Sequence, residues 1–218
     1  MTRLAAAGKR VAVLGGGTVG TALLRRLGQL DDFDVSGVLV RDTARQRDFT
    51  AGQDVLTADP QEALSGADIV VELMGGTGLA RELMLQALAE GKPVITGNKA
   101  ALAEHWAEFL PFMERGLLHF EAAVMAGTPA LAPLTAVLRG SEPLQLDAIL
   151  NGTCSYIIGQ LEQGDSFAAA LGRAQELGYA EADPTDDVNG ADAAAKMAIL
   201  ARLAFRTPVS LDQVDFEG

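Results

Sequence analysis

Residues 11–27 read VAVLGGGTVGTALLRRL, a short apolar run that stops on consecutive glycines and restarts as a helical pattern. Few arrangements accommodate such a stretch. A β-branched run bounded by glycine is a buried strand, and TVGTALLRRL repeats its apolar residues with helical spacing, so the chain turns sharply from strand into helix. In the spacing Gly15-x-Gly17-x-x-Gly20 the first glycine permits the tight turn, the second lets backbone approach a pyrophosphate, and the third lets helix pack against strand. The pyrophosphate then rests on the helix start at Thr18 and Val19, where N–H groups and the positive dipole end favour an anion. A glycine turn kept for steric reasons alone is the competing reading.

Short β-branched runs alternate with alanine- and leucine-rich helical stretches, which predicts βαβ units and a doubly wound parallel sheet. Strands are expected near residues 10–15, 35–41, 54–57, 68–74, 92–96 and 117–122, and helices near 18–30, 60–66, 78–90 and 99–115. Beyond about residue 125 the character changes. GTPALAPLTAVLRG reads as a helix begun by Thr128 and Pro129, followed by a strand at LQLDAIL and then further helix. Two domains are therefore expected, 1–125 and 126–218, the first of them the dinucleotide-binding one.

Composition narrows the function classes. The chain has 218 residues, 49% of them hydrophobic, which suffices for a real core. Seventeen basic against 29 acidic residues give a net charge of −12, which repels nucleic acid, and the densest basic stretch is RDTARQR at residues 41–47. No apolar run approaches the roughly 20 residues that span a bilayer, and MTRLAAAGKR lacks the apolar core of a secretory signal, so a cytoplasmic protein without membrane contact is expected. A single cysteine, Cys154, excludes an intrachain disulfide, and two histidines argue against a histidine-rich metal site.

Several side chains are candidates for chemistry. Arg41 follows the second strand near the place, about 20 residues past the fingerprint, where a ribose-reading residue is expected. Arg41 suits the 2′-phosphate of NADP and the adjoining Asp42 a bare 2′-hydroxyl, so NADP and NAD both stay open. The fourth strand runs ADIVVELMGGTG into a second glycine turn, whose Gly75 and Gly76 should border the nicotinamide half of the crevice. Glu72 within that strand reads as a structural or capping acid. Lys99 opens the helix after KPVITGN, set against the helix dipole, and suits proton transfer or simple solvent exposure. In ELGYAEADPTDDVNGADAAAKMAILARLAF, Glu181, Asp183, Asp186 and Asp187 crowd a loop, and Asp192 and Lys196 share one helical face. Crowded carboxylates suit a bound cation such as a substrate ammonium; capping acids and an ordinary i, i+4 ion pair are the alternatives.

Taken in order, VAVLGGGTVG, VVELMGG, TGNKAALAEH, FEAAVMAGTPAL, ILNGTCSYI and LGYAEADPTDDVNGADAAAKMAILA resemble homoserine dehydrogenase over most of the chain. The acid-rich last segment is the most diagnostic. The resemblance implies NAD(P)H-dependent interconversion of L-aspartate 4-semialdehyde and L-homoserine by a homodimer, on a Rossmann-type domain followed by an α+β substrate and dimerisation domain. It makes Lys99 and Lys196 the catalytic lysines, Lys99 also bordering the cofactor. Glu181 and Asp192 become substrate-binding acids, with Asn151, Gly152 and Thr153 on a loop over the substrate. It also assigns a monovalent cation, Na+, to Glu121 and the carbonyls of Val124, Ala126 and Thr128. Family chains run on past VDFEG, so the substrate domain reads as C-terminally incomplete. A dehydrogenase of another amino-acid aldehyde or imine, and a non-catalytic dinucleotide-binding module, are the alternative functions.

Overall fold

The computed structural model describes residues 8–49, 53–180 and 183–218, which divide into two compact units, Met1–Ala123 and Val124–Gly218. The first unit is built on strands β1 (Lys9–Leu14), β2 (Phe33–Leu39), β3 (Leu56–Thr57), β4 (Ile69–Glu72), β5 (Val94–Thr96) and β6 (Leu118–His119). They form a six-stranded sheet in the order β3-β2-β1-β4-β5-β6, with every pair parallel. Helices α1 (Thr18–Leu27), α2 (Pro60–Leu64), α3 (Leu79–Ala89), α4 (Lys99–Glu104) and α5 (Trp106–Glu114) connect them. A parallel strand covered on both faces buries consecutive residues, and Val11, Ala12, Val13 and Leu14 are all buried. One face packs Val11, Val13, Val38 and Val71 against Leu24 and Leu27 of α1.

Each strand and helix expected in this unit is present; β1 and β2 begin one and two residues earlier than expected at unchanged length, and the other elements are shorter. Two differences are larger than a shift of ends. The helix expected over 99–115 breaks at His105, whose φ of −114° and ψ of 30° leave the helical region. Trp106, just after the break, packs edge-on against Phe120. The strand expected over 117–122 ends at His119, because Glu121 already opens α6 (Glu121–Met125).

Among its described residues the second unit is helical: α7 (Gly152–Glu162), α8 (Phe167–Glu176), α9 (Thr185–Val188) and α10 (Ala191–Phe205), preceded by a wide helical turn at Pro133–Val137. Ile157, Ala170, Ala174 and Ala180 form a small core where α7 meets α8. The strand expected at LQLDAIL is not formed. Residues 144–150 carry the alternating apolar pattern but have no ladder partner among the described residues, and Leu144 and Ile149 face solvent. No described helix is long and apolar enough to cross a membrane.

Candidate active site

From β1 the chain steps outward through β2 to β3, then returns to place β4 on the other side of β1 and steps outward through β5 to β6, and ligands of such sheets bind beyond the carboxyl ends of the strands at the switch point between β1 and β4. The glycine turn lies there. Gly15 has a φ of 113°, and a Cβ on it would come within 2.8 Å of the Leu73 carbonyl, so only glycine fits. A Cβ on Gly20 would come 1.9 Å from the Gly15 carbonyl oxygen; α1 sits against β1 because this side chain is missing. Gly17 differs. A Cβ there meets nothing within 4 Å, so the space before α1 is open, and α1 has neither a side-chain cap nor an acidic residue in its first turn. Backbone close to open space at an uncapped helix start suits the pyrophosphate of a dinucleotide. Val19, in that first turn, is exposed. A hollow of about 420 Å³ is lined by Arg25 and Gly28 at the far end of α1 and by Arg47 and Phe49 of the loop after β2.

Glu72, at the end of β4, is fully buried. One carboxylate oxygen accepts the N–H groups of Met74 (2.8 Å) and Gly75 (3.0 Å), and the other accepts the Thr96 hydroxyl (2.6 Å) from the end of β5. Thr96 Oγ1 in turn accepts the Asn98 N–H (2.9 Å), while the Asn98 amide donates to the Gly76 carbonyl (2.7 Å) and its oxygen caps α4 at Ala101 (3.0 Å). Buried polar groups are stable only when paired, and here the pairing ties two loops together. The chain fixes both the Gly75–Gly76 turn, where both glycines take positive φ, and the start of α4, whose first residue is the half-buried Lys99. Glu72 is thus a structural acid. The Thr96–Asn98 half of the network has no periodic signature; an asparagine before a helix start was its only visible trace.

Beyond β2, Arg41 is exposed and Asp42 is engaged in its own turn, its carboxylate accepting the Ala44 N–H at 2.9 Å. That bond gives Asp42 a local role.

In the second unit the polar groups are side chains. Asn151 caps α7, its oxygen accepting the Cys154 N–H (2.7 Å), and its amide donates to Asp187 (2.7 Å) and Asp192 (2.9 Å). Lys196 donates to the same Asp192 oxygen at 2.7 Å and to the Leu150 carbonyl at 2.8 Å. Asp192 is buried, so this i, i+4 pair is no solvent-exposed ornament of the helix. Two of the ammonium's three donors are thereby engaged. Gly152 is the first residue of α7, and the buried Thr153 donates its hydroxyl to the Tyr179 carbonyl (2.6 Å), anchoring the acid-rich loop. Asp183 turns inward on Thr185, whose hydrogen bonds hold its carboxyl below the usual range, and Asp186 is exposed. Asp187 joins the Asn151 cluster, a membership the sequence did not distinguish from that of its neighbours. Glu181 lies outside the described residues. Burial, with Asp187 and Asp192 nearby, pushes the Cys154 thiol up, which makes it a poor nucleophile.

Along the segment expected to hold a cation, Glu121 opens α6, Val124 is buried, and Ala126 takes a φ of 50° in a turn closed by the Thr128 N–H on the Met125 carbonyl (2.9 Å). A non-glycine residue at positive φ is a costly conformation that marks this turn as fixed by its surroundings. Among the described residues no group of three His, Cys, Asp or Glu side chains is placed to hold a metal ion.

A parallel sheet of this order, with a glycine turn at its switch point, defines a Rossmann-like nucleotide-binding protein, and residues 15–116 match the family model for the homoserine dehydrogenase NAD binding domain. Residues 129–218 match the homoserine dehydrogenase model itself. The chain belongs to the homoserine dehydrogenase family. It is 41% identical to the homoserine dehydrogenase of Corynebacterium glutamicum and 44% identical to that of Mycobacterium leprae, in each case over 95% of this chain and 50% of the relative. The solved structure of a homoserine dehydrogenase from Thiobacillus denitrificans superposes with a TM-score of 0.81 at 35% identity, over 97% of this chain and 52% of that one. A hyperthermophilic archaeal homoserine dehydrogenase in complex with NADPH gives 0.77 at 25% identity, over 92% and 71%. The chain spans about half the length of the curated relatives it matches.

Proposed function

We propose that this protein interconverts L-aspartate 4-semialdehyde and L-homoserine with a nicotinamide cofactor, the first unit holding the dinucleotide and the second the substrate. The observation that carries this reading is the pairing of the half-buried Lys196 with the buried Asp192, held by Asn151 and the Leu150 carbonyl. Burying a charge such as that of Asp192 costs several kcal/mol by rough estimate, and replacing a buried pair by apolar residues is often neutral or stabilising, so stability alone is a weak reason for it.

The bound nicotinamide supplies a hydride to the aldehyde carbon. The protein's own groups do the rest. Gly17 with Thr18 and Val19 receives the pyrophosphate in the turn that Gly15 and Gly20 make possible, Arg41 meets the adenosine ribose, and Gly75, Gly76 and Lys99 border the nicotinamide side. As the carbonyl oxygen becomes an alkoxide, Lys196 donates the proton that completes the alcohol and recovers it from water. Asp192 and Glu181 hold the substrate's α-ammonium, while Asn151, Gly152 and Thr153 form the wall over it. Lys99, placed at the start of α4 by the Glu72 network, is the second catalytic lysine. Na+ is assigned to Glu121, Val124, Ala126 and Thr128, with the fixed turn at Ala126 in support. A cytoplasmic homodimer completes the reading, its subunit contact supported by the exposed Leu144 and Ile149 of the second unit.

The test is to add L-aspartate 4-semialdehyde to protein and NADPH and follow loss of the reduced nicotinamide's absorbance, with homoserine identified as product. Turnover confined to another amino-acid aldehyde or imine overturns the substrate assignment. Binding of NADPH without turnover of any of them overturns the enzymatic one.

A further inference from the structure

The glycine turns that follow β1 and β4 are held by different forces. Gly15 and Gly20 are wedged against backbone, where a Cβ would come within 2.8 Å and 1.9 Å of carbonyl oxygens. In the turn after β4 a Cβ on Gly75, Gly76 or Gly78 meets nothing within 4 Å, so packing does not fix this backbone, and glycine has the most conformational freedom to lose. Hydrogen bonds fix it instead. Glu72 holds the N–H groups of Met74 and Gly75, and the next residue is held by a different side chain, the Asn98 amide, which donates to the Gly76 carbonyl at 2.7 Å.

Asn98 serves α4 as well. Its side-chain oxygen accepts the Ala101 N–H at 3.0 Å, in the first turn of a helix six residues long that opens on Lys99. Asn98 is 4% exposed, and its own N–H donates to Thr96 Oγ1 at 2.9 Å, so its place is set from the end of β5. One planar amide therefore does two jobs: its oxygen caps the helix that begins with Lys99, and its nitrogen holds the turn after β4. Glu72 and Thr96 join the two strand ends, and Asn98 carries that tie one residue further out along the turn. Capping alone does not call for asparagine, since aspartate and serine cap a helix start about as well. The NH2 donor is what asparagine adds, and here it goes to Gly76.

We propose that Asn98 is a positioning residue for the reaction: through the Gly76 carbonyl it sets Lys99 at a fixed distance from the turn that borders the nicotinamide. The inference rests on the dehydrogenase reading, with Lys99 as its second catalytic lysine. A reacting group misplaced by about 1 Å costs on the order of 10²-fold in rate, so a single hydrogen bond between two otherwise unpacked loops acts on turnover without touching the reactants.

Asn98→Ser and Asn98→Asp each keep an oxygen to cap α4 and each lose the donor to Gly76. The experiment compares both with wild type, in the intact chain, by amide hydrogen exchange without ligand, by thermal unfolding, and by steady-state kinetics with L-aspartate 4-semialdehyde and NADPH. In both variants exchange quickens by about 10-fold in the turn of residues 74–78, as for one lost hydrogen bond, and α4 keeps its protection. The kcat falls by about 10- to 100-fold and kcat/KM falls with it, at an unchanged unfolding temperature. Wild-type kcat in Asn98→Ser assigns the residue to capping alone and overturns the proposal. So does a raised KM at unchanged kcat, exchange in the turn that stays as in wild type, or a kcat that falls only in step with the unfolding temperature. A wild type that does not turn over the semialdehyde overturns the dehydrogenase reading and takes the assignment with it, whereas normal turnover in wild type and both variants overturns the assignment alone.

Discussion

The two units of this chain prepare polar chemistry in opposite ways. At the glycine turn of the first unit the useful groups are backbone N–H donors, and the residues that matter act through the side chains they lack: a Cβ on Gly20 would strike Gly15, and one on Gly17 would enter open space. In the second unit the groups are side chains at a buried position, where Asn151 and Lys196 share an Asp192 oxygen. The contrast separates two kinds of failure. Substitution at the turn adds atoms where none fit, whereas substitution at the polar cluster removes a partner and strands those that remain.

The largest expected effect is on folding. Gly20→Val places a branched side chain where even a methyl would lie 1.9 Å from a carbonyl oxygen, and the cost, about 4 kcal/mol or more, leaves little native protein by circular dichroism. Gly17→Val sharpens the comparison because it leaves the native fold in place and abolishes NADPH binding in a fluorescence titration. An unaltered NADPH affinity in that variant would move the cofactor elsewhere.

A smaller effect follows from the Glu72 network, which is the first unit's own buried polar cluster. Glu72→Gln turns one of two acceptor oxygens into a donor facing either the Thr96 hydroxyl or the Met74 and Gly75 N–H groups. Denaturant unfolding should show a loss of about 1–3 kcal/mol. A variant as stable as wild type would mean the two loops are held by other contacts.

The smallest effect concerns reactivity. The Cys154 thiol is raised above its ordinary range by burial, so its thiolate fraction near pH 8 is below that of a free cysteine. Iodoacetamide should label native protein more slowly than denatured protein at that pH, and the native rate should go on rising after the denatured rate has levelled. Equal rates would place the thiol in solvent.

Much of the first unit was legible because its constraints are local. Strands buried on both faces read as continuous apolar runs such as VAVL and IVV, and steric demands of a turn can be written only in glycine. The second unit was less legible. LQLDAIL alternates as a strand should, yet the pattern cannot say whether a ladder partner exists, and among the described residues none does. The acids of the late loop looked alike, and what divides Asp187 and Asp192 from Asp183 is Asn151, more distant along the chain than any helical or strand period. Arg47 was visible as part of a basic stretch, but its buried Nε against Gly16 depends on how the loop folds back.

The division of labour between the units meets its most direct test at Lys196, through paired measurement of turnover and NADPH affinity in Lys196→Gln, an exchange that keeps a neutral donor for Asp192. The account predicts that turnover of L-aspartate 4-semialdehyde falls by about 10²–10⁴, the usual loss for a positioned proton donor, while NADPH affinity is unchanged. Wild-type turnover, or an NADPH affinity lost in step with the rate, would contradict it.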